Sequence, residues 1–72
     1  MKLLKVKEVA KVLGVNPSYV YELMKKGHLN YLIMGSKKVT DFELERFLKE
    51  AQGKDFSNLD NVVSLETQQN KN

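Results

Sequence analysis

The sequence has 72 residues, of which 42% are hydrophobic and 29% are charged, so it is long enough for one small domain. A chain of this size buries only about 60% of its unfolded surface, which leaves little protein for a catalytic cleft. It has no cysteine and a single histidine, His28, which excludes disulfides, thiolate metal sites and Cys/His zinc sites. We expect a binding protein that is not an enzyme and uses no metal, cofactor or small-molecule ligand.

No apolar run approaches the roughly 18 residues that a membrane span requires. The sequence begins Met1-Lys2-Leu3-Leu4, but Lys5 and Lys7 interrupt the apolar stretch too early for a signal peptide. The expectation is therefore a cytoplasmic protein without membrane contact.

The net charge of +3 is distributed unevenly along the chain. Residues 1–40 hold eight lysines and two glutamates, an excess of six positive charges. Residues 41–52 have a net charge of −2, and residues 53–72 a net charge of −1. A basic front on an acidic back suits a protein that binds a polyanion such as DNA. From charge alone, a lysine-rich surface that is merely solvated is an equally good explanation.

Leu3 and Leu4 suit a short strand, and an amphipathic helix is predicted after them. Its apolar residues follow the i, i+3, i+4, i+7 spacing and are Val6, Val9, Ala10 and Leu13. Gly14 is expected to end this helix in the left-handed conformation. The chain then passes through Val15 to the start of a second helix.

The second helix is predicted to begin with Asn16 as the cap and Pro17 in the first helical position. It runs to about Lys26 and stops at Gly27. The apolar residues that face the core are Val20, Leu23 and Met24. The short link of Gly14, Val15 and Asn16 between two helices is typical of a helix-turn-helix.

A β-hairpin is predicted next, with a β-prone run at residues 31–34, a turn at residues 35–37 and a returning strand at residues 38–39. A third helix follows, in which the Thr40 hydroxyl pairs with Glu43 in a capping box and Gly53 forms the end. The predicted fold is mainly α with a small β-hairpin: a winged helix-turn-helix of three helices and a two-stranded wing. It occupies residues 1–53.

Residues 54–72 are predicted to be a C-terminal tail that is partly disordered, including the final seven residues. Within it, residues 56–65 suit a helix or a strand about equally.

The outward face of the second helix is the predicted DNA-reading surface. Ser18, Glu22 and Lys25 lie opposite the core residues, and Tyr21 and Lys26 flank them. Serine and tyrosine hydroxyls bond phosphates or bases, glutamate accepts from cytosine, and lysine binds guanine or phosphate. Asn16 and the free amides at the helix start, next to Pro17, are placed to meet a phosphate, and Tyr19 projects sideways. The alternative is a solvated face on which Glu22 pairs with Lys26.

The wing supplies a second predicted contact. Ser36, Lys37 and Lys38 at its tip are expected to enter a neighbouring minor groove or to grip its phosphates. The alternative is that these lysines only keep an exposed hairpin edge soluble.

Several linked motifs then resemble one family. They are Val6-Lys7-Glu8-Val9-Ala10-Lys11-Val12-Leu13-Gly14-Val15, Val20-Tyr21, Lys25-Lys26-Gly27-His28-Leu29, Gly35-Ser36-Lys37-Lys38-Val39 and Leu44-Glu45-Arg46-Phe47-Leu48. Together they span residues 3–49 and resemble the small MerR-type winged-helix proteins of the excisionase family. The resemblance implies a recognition helix at residues 17–26 and a wing at residues 31–39.

The resemblance also implies function: such proteins bend double-stranded DNA in recombination beside an integrase, or act as short transcription regulators. This sequence departs from the family pattern in having Lys5 where threonine usually caps the first helix, which predicts fraying there. It also has Pro17 and Glu22 at positions that are often basic, and lysine in the wing where arginine is common. A protein-interaction module that has lost DNA binding is the remaining alternative, which the basic excess disfavours.

One short recognition helix and a wing read only a few base pairs, so a second copy is expected to add specificity. The hypothesis is a monomer in solution that loads head to tail on repeated DNA sites. The candidate contacts are the apolar residues that the predicted core does not use: Phe42, Phe56, Leu59, Val62 and Val63.

Overall fold

The computed structural model describes residues 1–65; the final seven residues, for which disorder is predicted, lie outside the described part. The chain forms a winged helix-turn-helix, as predicted. Its elements in chain order are β1 (Leu3–Lys5), α1 (Val6–Leu13), α2 (Pro17–Lys25), β2 (Leu32–Met34), β3 (Ser36–Thr40), α3 (Asp41–Ala51), β4 (Lys54–Asp55) and β5 (Val63–Ser64). No helix within residues 1–65 combines the length and apolar character needed to cross a membrane.

The turn between α1 and α2 has the predicted geometry. Gly14 adopts the left-handed conformation with φ of 70°, and its N–H donates to the carbonyls of Ala10 and Lys11. The amide of Val15 donates to Ala10 as well, at 3.0 Å. These bonds satisfy carbonyls that the end of a helix leaves free.

The two helix starts differ from the prediction. At α1 the backbone N–H of Lys5 donates to the Glu8 carboxylate at 2.8 Å, so the start is closed without a capping threonine. At α2 the Asn16 side chain makes no capping bond. The backbone carbonyl of Asn16 instead accepts from the amide of Tyr19 at 2.9 Å. Pro17 has no N–H, so it leaves no donor unsatisfied at the first helical position.

The sheet has three strands in the order β1-β3-β2, rather than a two-stranded wing alone. Strand β1 pairs antiparallel with β3, with Leu4 opposite Val39. The hairpin turn is also tighter than predicted, because Met34 already pairs with Ser36. Gly35 alone makes the reversal, with φ of 78°, which a residue with a Cβ rarely adopts. Lys37 is therefore a strand residue and not part of the turn.

The core lies where α1, α2 and α3 meet the inner face of β3. Its buried residues are Val6, Val9, Ala10, Val20, Leu23, Met24, Leu29, Val39, Leu44 and Phe47. Those of α1 and α2 lie on the predicted helix faces, and Leu44 and Phe47 lie on one face of α3. Leu29 is fully buried in the link after α2, where no periodic pattern predicts an inward side chain.

Helix α3 begins at the predicted cap, since Thr40 Oγ1 accepts from the amide of Glu43 at 3.0 Å. The second bond of a capping box, from the Thr40 amide to the Glu43 carboxylate, is replaced by other contacts. The Glu43 carboxylate accepts from the Asn30 amide at 2.8 Å and from Arg46, and so joins α3 to the link after α2.

Residues 54–65, which we call the C-terminal strap, fold back over the helices. Strands β4 and β5 pair within it, and the Leu65 amide donates to Gly53 at 2.7 Å. Phe56 and Leu59 pack against the core, and the Phe56 and Phe47 rings meet edge to face with centroids 5.4 Å apart. The premise that the core does not use Phe56 and Leu59 is therefore wrong. Phe42 and Val63 are exposed, and Val62 is half-buried.

Candidate nucleic-acid interface

Helix α2 presents one face to the core and the opposite face to solvent. Val20, Leu23 and Met24 are buried. Ser18, Glu22 and Lys25 are exposed, as are Asn16 and Pro17 at the start of the helix. Ser18 and Lys25 lie about 10 Å apart along the axis, a span that fits a major groove about 12 Å wide. The predicted reading face is thus brought together on one surface.

Tyr19 belongs to the packing rather than to this face. Its side chain is half-buried, and its hydroxyl donates to the carbonyl of Phe56 at 2.8 Å. Burial, with a contribution from the Asp55 carboxylate, raises the pKa of this phenol. Tyr19 therefore anchors the C-terminal strap to α2.

Lys26 is held by the same strap. Its ammonium lies 2.7 Å from the Asp60 carboxylate, and the Lys26–Glu22 ion pair considered from the sequence is not formed. The Asp60 carboxylate raises the pKa of Lys26, and the pKa of Asp60 is lowered in return. Lys26 thus already has an anionic partner beside the exposed face of α2.

A cation between two aromatic rings joins α2 to the wing. The ammonium of Lys37 lies 5.4 Å from the centroid of the Tyr21 ring and 5.0 Å from that of Tyr31. Distances below about 6 Å permit cation–π attraction. Lys37 is half-buried on β3 and is not the exposed tip residue that was predicted, and Tyr31 is a site residue that the sequence reasoning missed.

The tip of the wing carries apolar side chains. Ile33 is 70% exposed and Met34 is 60% exposed, and Ser36 is exposed beside them. Lys38 is half-buried, and its ammonium donates to the Met34 carbonyl at 2.8 Å. The β-prone run at residues 31–34 predicts a strand, but it does not show which of its side chains remain in solvent.

His28 is a packing residue. Its Nε2 lies 2.6 Å from the Leu59 carbonyl, so this nitrogen carries the hydrogen that is donated. The ring also meets Phe56 edge to face, with centroids 5.5 Å apart. Within residues 1–65, no group of three or more His, Asp or Glu side chains is placed to hold a metal ion.

Behind this surface, Arg46 joins α3 to the link after α2. Its guanidinium donates to Glu43, to Glu50 at 2.7 Å and to the carbonyl of His28 at 3.1 Å. The bonds to Glu43 raise the pKa of Arg46 and lower that of Glu43. The network fixes α3 against the segment that leads into the wing.

The recognition-type helix, the tight turn and the hairpin define a winged helix-turn-helix of the kind that places its second helix against DNA. Residues 3–52 match a family described as the helix-turn-helix domain. The chain belongs to this helix-turn-helix domain family. No match to the chain was found among curated proteins or among solved structures.

Proposed function

We propose that this protein is a sequence-specific DNA-binding protein that uses α2 as its recognition helix. The observation that carries the proposal is the exposed row of Ser18, Glu22 and Lys25 on a helix whose other face is fixed in the core. Residues held on a rigid helix keep the geometry that base-edge contacts require.

Each residue on this row has a distinct role in the proposal. Glu22 accepts from a cytosine amino group, Lys25 binds guanine or phosphate, and Ser18 bonds to either a base or a phosphate. Asn16 and the free amide of Ser18, next to Pro17, meet a phosphate at the helix start. Tyr21 adds a hydroxyl donor at the edge towards the wing, and Lys37 keeps the wing beside it.

We further propose that the biological role is architectural: an excisionase-like factor that binds and bends DNA beside an integrase. This finer role rests on the motif resemblance over residues 3–49, since the reading face alone suits a compact transcription regulator equally well. An integrase or recombinase gene next to the gene for this protein supports the architectural role. A position away from any such gene supports regulation.

Self-association on DNA is part of the proposal, with a monomer in free solution. Phe42, at 60% exposure, is the largest apolar side chain on the outer face of α3, and Val63 is exposed on the strap. Phe42 lines a groove of about 620 Å³ together with Leu44 and Leu48. A neighbouring copy that covers this groove extends the contact without closing a ring.

The test is selection of duplexes from a random pool by the wild-type protein, followed by the same selection with a Ser18→Ala, Glu22→Ala double variant. We expect wild type to recover one short motif and the double variant to recover an altered one with little change in overall affinity. Identical motifs for both proteins would show that α2 does not read bases. Failure of wild type to enrich any duplex would overturn DNA binding itself.

Self-association is tested with Phe42→Ser on DNA that carries one or two copies of the selected motif. The variant should bind a single motif like wild type and lose cooperativity on two. Sedimentation of the free proteins is the companion measurement, and a stable wild-type dimer without DNA would contradict loading as a monomer.

A further inference from the structure

We infer that Ile33 and Met34 form an apolar wedge that enters the minor groove beside α2 and unstacks a base step there. This inference rests on the proposed DNA binding. It adds to that binding the unstacking of a base step, which is caused by apolar rather than basic side chains. Proteins that kink DNA from the minor groove insert isoleucine, leucine, methionine or phenylalanine between base steps.

The first observation is exposure at the tip of a rigid hairpin. Ile33 is 70% exposed and Met34 is 60% exposed, and both lie within two residues of the reversal at Gly35. Large apolar side chains at the end of a hairpin lose contact with water only when a partner covers them. They are adjacent in sequence and point to opposite faces of the strand, so both sides of the tip are apolar.

The second observation is that the two wing lysines are already engaged. Lys38 donates to the carbonyl of Met34, which holds the tip residue in place. Lys37 lies between the rings of Tyr21 and Tyr31. The highly exposed large side chains next to the reversal are therefore apolar, while the two lysine ammonium groups are held by contacts within the protein.

The third observation is the direction of the wing. Ile33 pairs with Lys37 across the hairpin, so the two side chains share one face of the sheet. Lys37 on that face reaches Tyr21 of α2. Ile33 consequently lies on the side of the sheet that faces the recognition helix, where the DNA next to the reading face would run.

Charge selects DNA as the occupant rather than another protein surface. The wedge is close in sequence to Lys37 and Lys38. It belongs to residues 1–40, which together have an excess of six positive charges. A nucleic-acid backbone complements that charge, and the base step behind it supplies the apolar surface that Ile33 lacks. The positive charge of this part of the protein attracts the phosphate backbone, and the apolar tip separates the bases.

The experiment uses an Ile33→Ser, Met34→Ser double variant of the full chain and the duplex recovered by the wild-type selection. 2-Aminopurine is placed in turn at each A·T position flanking the motif, and dyes at the two ends report the end-to-end distance. Val12→Ser is the matched control, since Val12 is also 60% exposed but lies on α1.

Wild type and Val12→Ser should raise the 2-aminopurine fluorescence at one step and bring the duplex ends closer. The double variant should do neither, and should bind about tenfold more weakly for the loss of two buried apolar contacts. Its dependence of log K on log salt should stay unchanged, because no phosphate contact is removed.

Wild-type binding with no fluorescent step, or a double variant that bends DNA as wild type does, would overturn the wedge while leaving DNA binding intact. Self-association of free wild type that the double variant abolishes would assign Ile33 and Met34 to a protein interface and also overturn it. Failure of wild type to bind any duplex would overturn the proposed function first.

Discussion

At Thr40 the chain leaves strand β3 and enters helix α3, and one hydroxyl links the two elements by accepting from the Glu43 amide. Thr40→Ala removes this acceptor and should lower the free energy of unfolding by about 1 kcal/mol. Urea denaturation measures the change, which is large for a domain of this size. Thr40→Ser keeps the acceptor and is the control. Equal losses for the two variants would assign the effect to the lost methyl group instead.

Glu43 makes stability depend on pH. Its ordinary pKa of 4.5 is lowered in the folded protein, first by the bond from Arg46. A carboxylate with a lowered folded pKa stabilises the fold above its ordinary pKa, and this stabilisation is lost as pH falls through the folded value. Glu43→Gln should therefore be less stable than wild type at pH 7, and the difference should shrink below pH 4.5.

Thermal melts between pH 7 and pH 3 measure this difference. Glu45→Gln, an exposed position on the same helix, is the control and should follow the wild-type curve closely. A difference between wild type and Glu43→Gln that stays constant down to pH 3 would exclude the Arg46 contact as the origin of the pH dependence.

At the scale of the element, α2 is expected to act as a rod whose outward lysine contacts phosphate or guanine. Lys25→Ala should weaken DNA binding, and loss of a phosphate contact would lower the slope of log K against log salt by about 0.9. Lys49→Ala removes another exposed charge, from α3, and should leave the slope unchanged. Filter binding over a salt series measures both. Parallel lines for Lys25→Ala and wild type would remove Lys25 from the phosphate contacts.

The helices could be predicted because local patterns determine them. Val9 and Val20 follow helical spacing, Gly14 adopts the left-handed conformation that ends α1, and Thr40 caps the start of α3. Each of these signals lies within a few residues of the sequence. The interior direction of Leu29 depends instead on the surrounding α2 and α3, which no local spacing encodes. The exposed residues of α2 are predicted by the same helical periodicity that predicts its buried residues.

Other parts of the site depend on contacts that leave no sequence pattern. The strap is anchored through the carbonyls of Phe56 and Leu59, and every residue has a carbonyl. Strands of two residues are too short to show alternation. The engagement of Lys37 depends on Tyr21 and Tyr31 meeting across two elements. The sequence therefore predicts the wing and the tip residue Ser36, but Lys37 lies on β3, and Ile33 and Met34 are the large side chains exposed at the tip.

At the scale of the whole molecule, the strap is part of the folded core. Phe56→Ala removes a ring that contacts both Phe47 and His28, and should lower the free energy of unfolding by about 3 kcal/mol. Phe42→Ala deletes the same atoms from an exposed position and should cost much less. Denaturant melts of the two variants compare them directly. Similar losses would show that the Phe56 ring contributes no more to the core than an exposed ring does.

The Lys26–Asp60 ion pair affects the number of phosphate contacts that is derived from the salt dependence of DNA binding. If Lys26 leaves Asp60 for a phosphate in the proposed complex, the DNA releases a condensed cation. Salt also screens and weakens the Lys26–Asp60 pair that has to break, and this offsets part of the salt dependence. The number of phosphate contacts derived from a salt series should then be smaller than the number of lysines that touch DNA. Asp60→Asn ends this compensation and should steepen the slope, by at most about 0.9. Asp55→Asn, in the same strap, should not, because Asp55 bonds to Ser57 rather than to a lysine.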